Sequence, residues 1–264
     1  LAMLQNPDYY LKDEQGNNLP YLQGISVSFN KDLSGVFLDF LKGKYDMLQG
    51  AEGNFNEELL DQGGNLRDMY ASDIVFRRDP WLKTDYLGFM IDSSESENNP
   101  FLDVRVRRAI NLAINRKLLS KALLNNLGTP ALGGFIPEGF AAHRETDPHY
   151  IYKPGDAARL IVAAGYGLDN QLQIELNTTA NYAGLAQFIQ HELNQVGIEL
   201  KVNILDAGNL NENVAQSNLL FFKKSWLADY PDEENFMALF YSKNFSPDGP
   251  NYTHFSNEKA DALY

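Results

Sequence analysis

Trp226, Asp229 and Tyr230 bring an indole, a carboxylate and a phenol within the five residues Trp226-Leu227-Ala228-Asp229-Tyr230, which Pro231 and Asp232 follow. A large flat ring beside an anion suits a small cationic or amphipathic ligand, because ring face and carboxylate both favour positive charge. The competing reading is a strand end with a core tryptophan and an aspartate that caps a turn. These residues alone leave both open.

The elements around this stretch can be read from spacing. Phe221 and Phe222 read as the end of a buried strand, and Pro231, with no N–H to donate, takes the backbone out of the sheet. Just upstream, Leu172, Ile174 and Leu176 alternate as a strand. Leu185, Phe188, Ile189, Leu193 and Val196 recur as one helix face, closed by Gly197, and Ile198, Leu200, Val202 and Ile204 alternate as a second strand. Strand, helix, strand in this order predicts a right-handed βαβ unit with parallel strands in one sheet.

Earlier, Asp103 is placed to cap a helix with Val106, Ala109, Ile110, Ala113 and Ile114 on one face. Asn115 caps a second helix, Arg116–Asn126, which Gly128 stops. A Pro- and Gly-rich loop over 129–150 precedes a helix with Pro154 in its first turn, the stripe Ala157, Leu160, Ile161, Ala164, and Gly165 past its end. Nearer the start, residues 5–20 are polar and turn-rich, and Ile25, Val27 and Phe29 alternate as a strand. Leu33, Val36, Phe37, Phe40 and Leu41 have helical spacing. Tyr45–Leu48, Asp73–Arg77 and Tyr86–Ile91 read as strands, with a short helix around Glu57–Leu60. The Ser-, Glu- and Asn-rich run Asp92–Pro100 marks the main boundary.

The 264 residues carry a net charge of −13, which argues against nucleic acid or an anionic membrane surface as partner. With no cysteine there is no disulfide, thiolate zinc site or cysteine nucleophile. Enzyme constellations fail as well. His191-Glu192 opens like HExxH, but Gln195 stands where the second ligand belongs, and His143, His149, His191 and His254 lack metal-ligand spacing. His191 reads as a helix-surface residue. No GxSxG elbow, Walker loop or GxGxxG is present, and Asn177-Thr178-Thr179 and Asn251-Tyr252-Thr253 match the glycosylation pattern only as chance would allow. No cofactor is expected.

Four phrases, in order, carry a family resemblance. Pro100-Phe101-Leu102-Asp103-Val104-Arg105-Val106-Arg107-Arg108-Ala109-Ile110-Asn111-Leu112-Ala113-Ile114-Asn115-Arg116 resembles the signature helix of the solute-binding proteins of ABC importers in the peptide, dipeptide and nickel-binding family (family 5). Asn115 replaces the usual Asp. Tyr152 to Tyr166 is similar to the family's Y-x-P-x-x-A-x-x-L-x-x-AGY helix, with Lys153 replacing the common Asp before the proline and weakening that cap. Trp226 to Asp232 matches W-x-ADYPD, and Asn251 to Asp261 resembles the segment that follows it. The likeness covers nearly the whole chain.

The resemblance implies an α/β, two-lobe fold of the type II periplasmic-binding-protein kind, with ligand enclosed between the lobes. Residues 1–85 would form part of lobe I and 86–264 lobe II, with the start of the first, the end of the second and any signal or lipid anchor missing from a fragment. It implies a receptor and not an enzyme: a periplasmic or cell-surface protein, lipid-anchored in full length, monomeric, binding peptides or another small amine-bearing ligand and delivering them to ABC permease subunits. In peptide-binding members the aspartate of the W-x-A-D phrase receives the ligand's α-ammonium group and the tryptophan lines the cleft. Those roles fall to Asp229 and Trp226, with Tyr230 beside them. In some members a basic residue three positions before the tryptophan helps hold the ligand's carboxylate. Here that is Lys223, for which a solvated lysine is the preferred reading. Within the family a nickel chelate, haem, an oligosaccharide or an opine is the alternative ligand. A carboxylate-based hydrolase is the alternative of a different class.

Overall fold

The computed structural model describes residues 1–30, 33–49, 58–92, 98–147 and 150–264, the side chains of residues 33 and 34 excepted. The chain divides into two compact units, Leu1–Leu59 and Leu60–Tyr264. In the first, β1 (Ala2–Leu4) pairs antiparallel with β2 (Gly24–Ser26), and both strands are exposed throughout. The strand expected from Ile25 to Phe29 therefore stops at Ser26, and Phe29 is exposed. Helix α1 (Leu33–Leu41) forms as expected. Its end is closed by Gly43, in the left-handed region at φ 73°, and the Lys44 amide turns back to the Asp39 carbonyl. Tyr45–Leu48, expected as a strand, has no ladder partner and is not one.

The second unit holds a four-stranded sheet in the order β3-β6-β4-β5. The strands are β3 (Lys83–Phe89), β4 (Leu172–Thr179), β5 (Ile198–Leu205) and β6 (Phe221–Leu227). The expected parallel pairing is present: β4 and β5 run side by side from Leu172↔Ile198 to Thr179↔Leu205, joined by the helix Ala183–Asn194. β6 lies parallel to β4, at Asn177↔Phe222, and antiparallel to β3. Two expectations need correction here. Asp73–Arg77 is not a strand, because the amides of Asp73 and Ile74 both bond the Tyr70 carbonyl in a turn. Phe221 and Phe222 begin their strand and do not end it. Of the helix expected around Glu57–Leu60, residues 58 and 59 are helical and Glu57 lies outside the described residues, as do residues 93–97 of the expected boundary.

Helices cover both faces of the sheet. On one lie α2 (Val104–Ala113), α4 (Pro154–Ala163) and α5 (Ala183–Asn194), whose stripes Val106, Ala109, Ile110, then Ala157, Ile161, then Ala186, Ile189, Leu193 are buried against Leu172, Ile174, Leu176, Ile198, Leu200 and Phe221. Asp103 caps α2 through the Arg105 amide at 2.8 Å, and Asn115 caps α3 (Arg116–Leu124) through the Leu118 amide at 3.0 Å. α3 ends before the expected Asn126, because Asn125 and Asn126 both turn left-handed. Lys153 gives α4 no side-chain cap, as its replacement of an aspartate implies. On the other face, α6 (Ala207–Ala215) packs Leu210 and Val214 on Phe222.

The first two residues of β6 anchor these two cores separately. Phe221 stacks on Phe89 at 5.0 Å and touches Phe101 at 5.3 Å. Phe222, wholly buried on the opposite face, lies across from Gly88, where a Cβ would stand 2.3 Å from its ring. With any larger residue at 88 the Phe222 ring would have to shift. Gly88→Ala is accordingly expected to cost about 1–3 kcal/mol through overpacking, read as a lowered denaturation midpoint in urea with unchanged slope. An unchanged midpoint would mean that the ring can move aside.

Candidate functional site

β4, β5 and β6 are parallel, so their carboxyl ends lie along one sheet edge, where open α/β sheets present ligand sites. Burial falls away along β6 toward that edge. Phe221, Phe222 and Lys223 are buried, Lys224 to Trp226 half-buried, and Leu227, Asp229 and Tyr230 exposed. Pairing with β3 runs one residue past the strand, from the Ala228 amide to the Leu82 carbonyl, and then the chain leaves the sheet ahead of Pro231. Asp229 therefore stands clear of the core, and its carboxylate has no ion-pair partner among the described residues. Trp226 points its indole N–H at the Asn235 side-chain oxygen, 2.8 Å away. The Tyr230 hydroxyl donates to Glu234, which also accepts from Tyr264.

Lys223 departs from expectation. It is not solvated: its side chain is 3% exposed, and Nζ donates to Asp85 Oδ1 at 2.6 Å and Ser225 Oγ at 2.8 Å. The ammonium also lies 3.0 Å from the centroid of the Tyr182 ring. The strand period puts Lys223, Ser225 and Asp85 on one face, facing Tyr182 just beyond the end of β4. A buried ammonium needs a counter-charge and further acceptors, and this set supplies both. Lys83 joins it, 3.4 Å from Asp85 Oδ2. For the Asp85 carboxyl, burial acts to raise its pKa, but the Lys223 charge, the bonds from Lys223 and Ser225, and Lys83 outweigh burial and hold it below its ordinary 3.8. Asp85, Tyr182, Ser225 and Asn235 carried no signal in the sequence, because they meet only through strand pairing and chain reversal.

A second polar network lies apart from these residues in the sequence. His254 Nδ1 is 3.2 Å from Asp92 Oδ2, and its Nε2 is 3.2 Å from both Ser217 Oγ and Ser246 Oγ. The order of groups is that of a Ser–His–Asp relay. Both serines are buried, however, and Nε2 also lies 3.2 Å from the Ser246 carbonyl, so the hydroxyls face the imidazole and not an open site. Its physical effect is to tie four chain segments together. Asn177 and Asn251 are likewise structural: both are buried, Asn177 donating to the Phe221 carbonyl and Asn251 to those of Tyr241 and Phe255. His191 is exposed on α5, as expected. Among the described residues no cluster of His, Asp or Glu could hold a metal, and no helix is long and apolar enough to cross a membrane.

The α/β architecture is that of the type II periplasmic binding proteins. Over 99% of its length the chain superposes, with a TM-score of 0.75 and 21% identity, on 47% of "ABC transporter-associated periplasmic binding protein DppA from Helicobacter pylori in complex with peptide STSA". It matches 49% of the "ABC Transporter Substrate Binding Protein CtaP" of Listeria monocytogenes with a TM-score of 0.76, at 16% identity and 99% coverage. In sequence, the chain is 32% identical over 231 residues to the glutathione-binding protein GsiB of Escherichia coli, covering 81% of this chain and 42% of that protein. The chain thus spans less than half the length of such relatives. Residues 1–248 match the model of the bacterial extracellular solute-binding proteins, family 5 Middle, and the chain belongs to that family.

Two outcomes follow from the polar sets. Because the Asp85 carboxyl is depressed in the fold, its contribution to stability is fully present above the ordinary value of 3.8 and is lost as pH falls through the lower folded value. Part of the acid-induced fall in thermal midpoint below about pH 4 should therefore be absent in Asp85→Asn. That variant should also be less stable at neutral pH, where Lys223 loses its counter-charge. An unchanged acid profile would remove the pair from the account. His254→Ala should cost about 1–3 kcal/mol by leaving the two buried hydroxyls only their long 3.4 Å contact with each other, measured by denaturant unfolding.

Proposed function

We propose that this chain is part of the receptor of an ABC importer. It works in the periplasm or at the cell surface, lipid-anchored in the full-length protein. It takes peptides or oligopeptides in a cleft between two lobes and delivers them to the membrane permease. In this reading residues 1–85 belong to lobe I and 86–264 to lobe II, a boundary that falls within β3.

The observation that carries the reading is Asp229: an exposed carboxylate without an ion-pair partner among the described residues, where β6 leaves the sheet and three residues beyond Trp226. A peptide's α-ammonium loses several kcal/mol of hydration on entering a closed cleft unless a carboxylate and further acceptors replace the water. Asp229 supplies the charge, with Trp226 and Tyr230 close to it in the chain. Extended backbone can be met by strand-like pairing, which is indifferent to side-chain identity. Two similarities support the peptide class: the relative named for binding glutathione, itself a peptide with a free α-amino group, and the neighbour solved with the peptide STSA. Lys223 enters differently from the expectation. Its charge is already met by Asp85, so a ligand carboxylate reaches it only by displacing that residue.

The test is calorimetry on the full-length protein with free and N-acetylated forms of one peptide. Asp229→Asn should weaken the free-amine peptide by about 1.5–3 kcal/mol, the worth of a hydrogen bond to a charged group, and leave the acetylated one nearly unchanged. Equal loss for both would sink the ammonium role.

A further inference from the structure

Asn235 lies beyond the turn that carries Asp229, at the start of the short helix α7 (Glu234–Met237), and is 5% exposed. Its side-chain oxygen accepts from the Trp226 indole at 2.8 Å and, at a longer 3.4 Å, from the Asp229 backbone amide. An indole N–H can only donate, so the chemistry itself fixes which amide atom faces Trp226. Tyr230 is coupled to the same residue: its phenol is raised above the ordinary value by the bond to Glu234, with the Asn235 side chain acting in the opposite sense. One buried side-chain amide thus joins the Trp226 indole to the backbone of Asp229.

Asn235 is itself firmly held. Its amide bonds the Asp232 carbonyl, and the next residue, Phe236, is wholly buried between Phe135 and Phe140, at ring distances of 6.1 and 5.4 Å. On the other side, Glu233 accepts from the Ala142 amide at 2.9 Å. Among the described residues, the turn it supports is otherwise held only by bonds within itself and to the neighbouring Glu234: the Asp232 amide to the Tyr230 carbonyl and the Glu234 amide to Asp232 Oδ1, both at 2.9 Å, and the Tyr230 hydroxyl to Glu234. Past Ala228, sheet pairing has ended, and Asp229, Tyr230, Pro231 and Asp232 are all exposed.

We propose that Asn235 is the positioning residue of the site: by bonding the Trp226 indole and the Asp229 amide together, it fixes the ring and the backbone that carries the carboxylate in one arrangement before ligand arrives. This rests on the ligand reading of Asp229. Groups set in advance do not have to be ordered on binding, so affinity depends on the residue that sets them. Asn235 touches no ligand in this scheme.

The experiment compares Asn235→Ala with Phe236→Leu in the full-length protein. Phe236→Leu loosens the same segment but keeps the amide. Glutathione and trialanine are the probes, and NMR follows the Trp226 indole (assigned by its loss in Trp226→Phe) and the Asp229 amide. Asn235→Ala should shift the indole resonance, reduce exchange protection of the Asp229 amide and weaken a bound probe by at least about tenfold. Phe236→Leu, at whatever thermal midpoint it retains, should leave affinity within about threefold, a difference below 1 kcal/mol. Asn235→Ala binding as tightly as the parent, or Phe236→Leu losing as much, overturns the positioning role. If Asp229→Asn weakens binding and Asn235→Ala does not, only this inference falls. If the parent binds neither peptide, the ligand reading loses its support, and the indole and Asp229 resonances still decide whether Asn235 holds the turn.

Discussion

The close approach of Phe222 to Gly88 is the constraint on which the site depends. Side chains of a strand alternate, so a slip of one residue would exchange the faces of all of β6. Phe222 packs where its partner strand has no side chain, which favours this register of β6 on β3. Everything downstream is then fixed by parity. Lys223 and Ser225 share the face of Phe221 and meet Asp85 and Tyr182, while Trp226 shares the face of Phe222 and meets Asn235. The two polar assemblies occupy opposite faces of one strand because two phenylalanines begin it.

The electrostatics of the edge follow from the same arrangement. Asp85, Ser225 and the Tyr182 ring surround the buried Lys223 ammonium and replace the water it gives up. That requirement consumes Asp85 and leaves no free cation on this face of β6. Asp229, carried past the last sheet bond, is under no such demand. A chain of net charge −13 thus holds Lys83 and Lys223 here in internal pairs, leaves Lys224 on the opposite face to the Asn211 side chain and the Tyr252 ring, and keeps a carboxylate available at the strand end. Such an edge suits an ammonium better than an anion.

Much of this was legible in the sequence, for identifiable reasons. The βαβ unit of Leu172 to Leu205 could be read because its helix face and its strands carry clean periods of apolar residues. The caps Asp103 and Asn115 could be read because a cap is a local contact, complete within three residues. The short strands expected at Tyr45–Leu48 and Asp73–Arg77 failed for lack of partners, which alternation alone cannot supply. Phe221-Phe222 was placed at the wrong end of its strand because an apolar pair marks burial and carries no direction. Lys223 escapes a sequence reading for a related reason: a lysine is solvated by default, and its counter-charge lies 138 residues away in sequence on a neighbouring strand. Asn235 offered no pattern at all, since its role exists only once the turn at Pro231 has brought the chain back.

The central claim is that a ligand's ammonium group meets Asp229 at the end of β6, and a crystal structure of the full-length protein with a bound tripeptide tests it most directly. The account predicts the α-ammonium nitrogen within hydrogen-bonding distance of the Asp229 carboxylate, Trp226 still bonded to Asn235, and Lys223 still paired with Asp85. A peptide bound with its amino terminus elsewhere, and Asp229 left facing water, would contradict it.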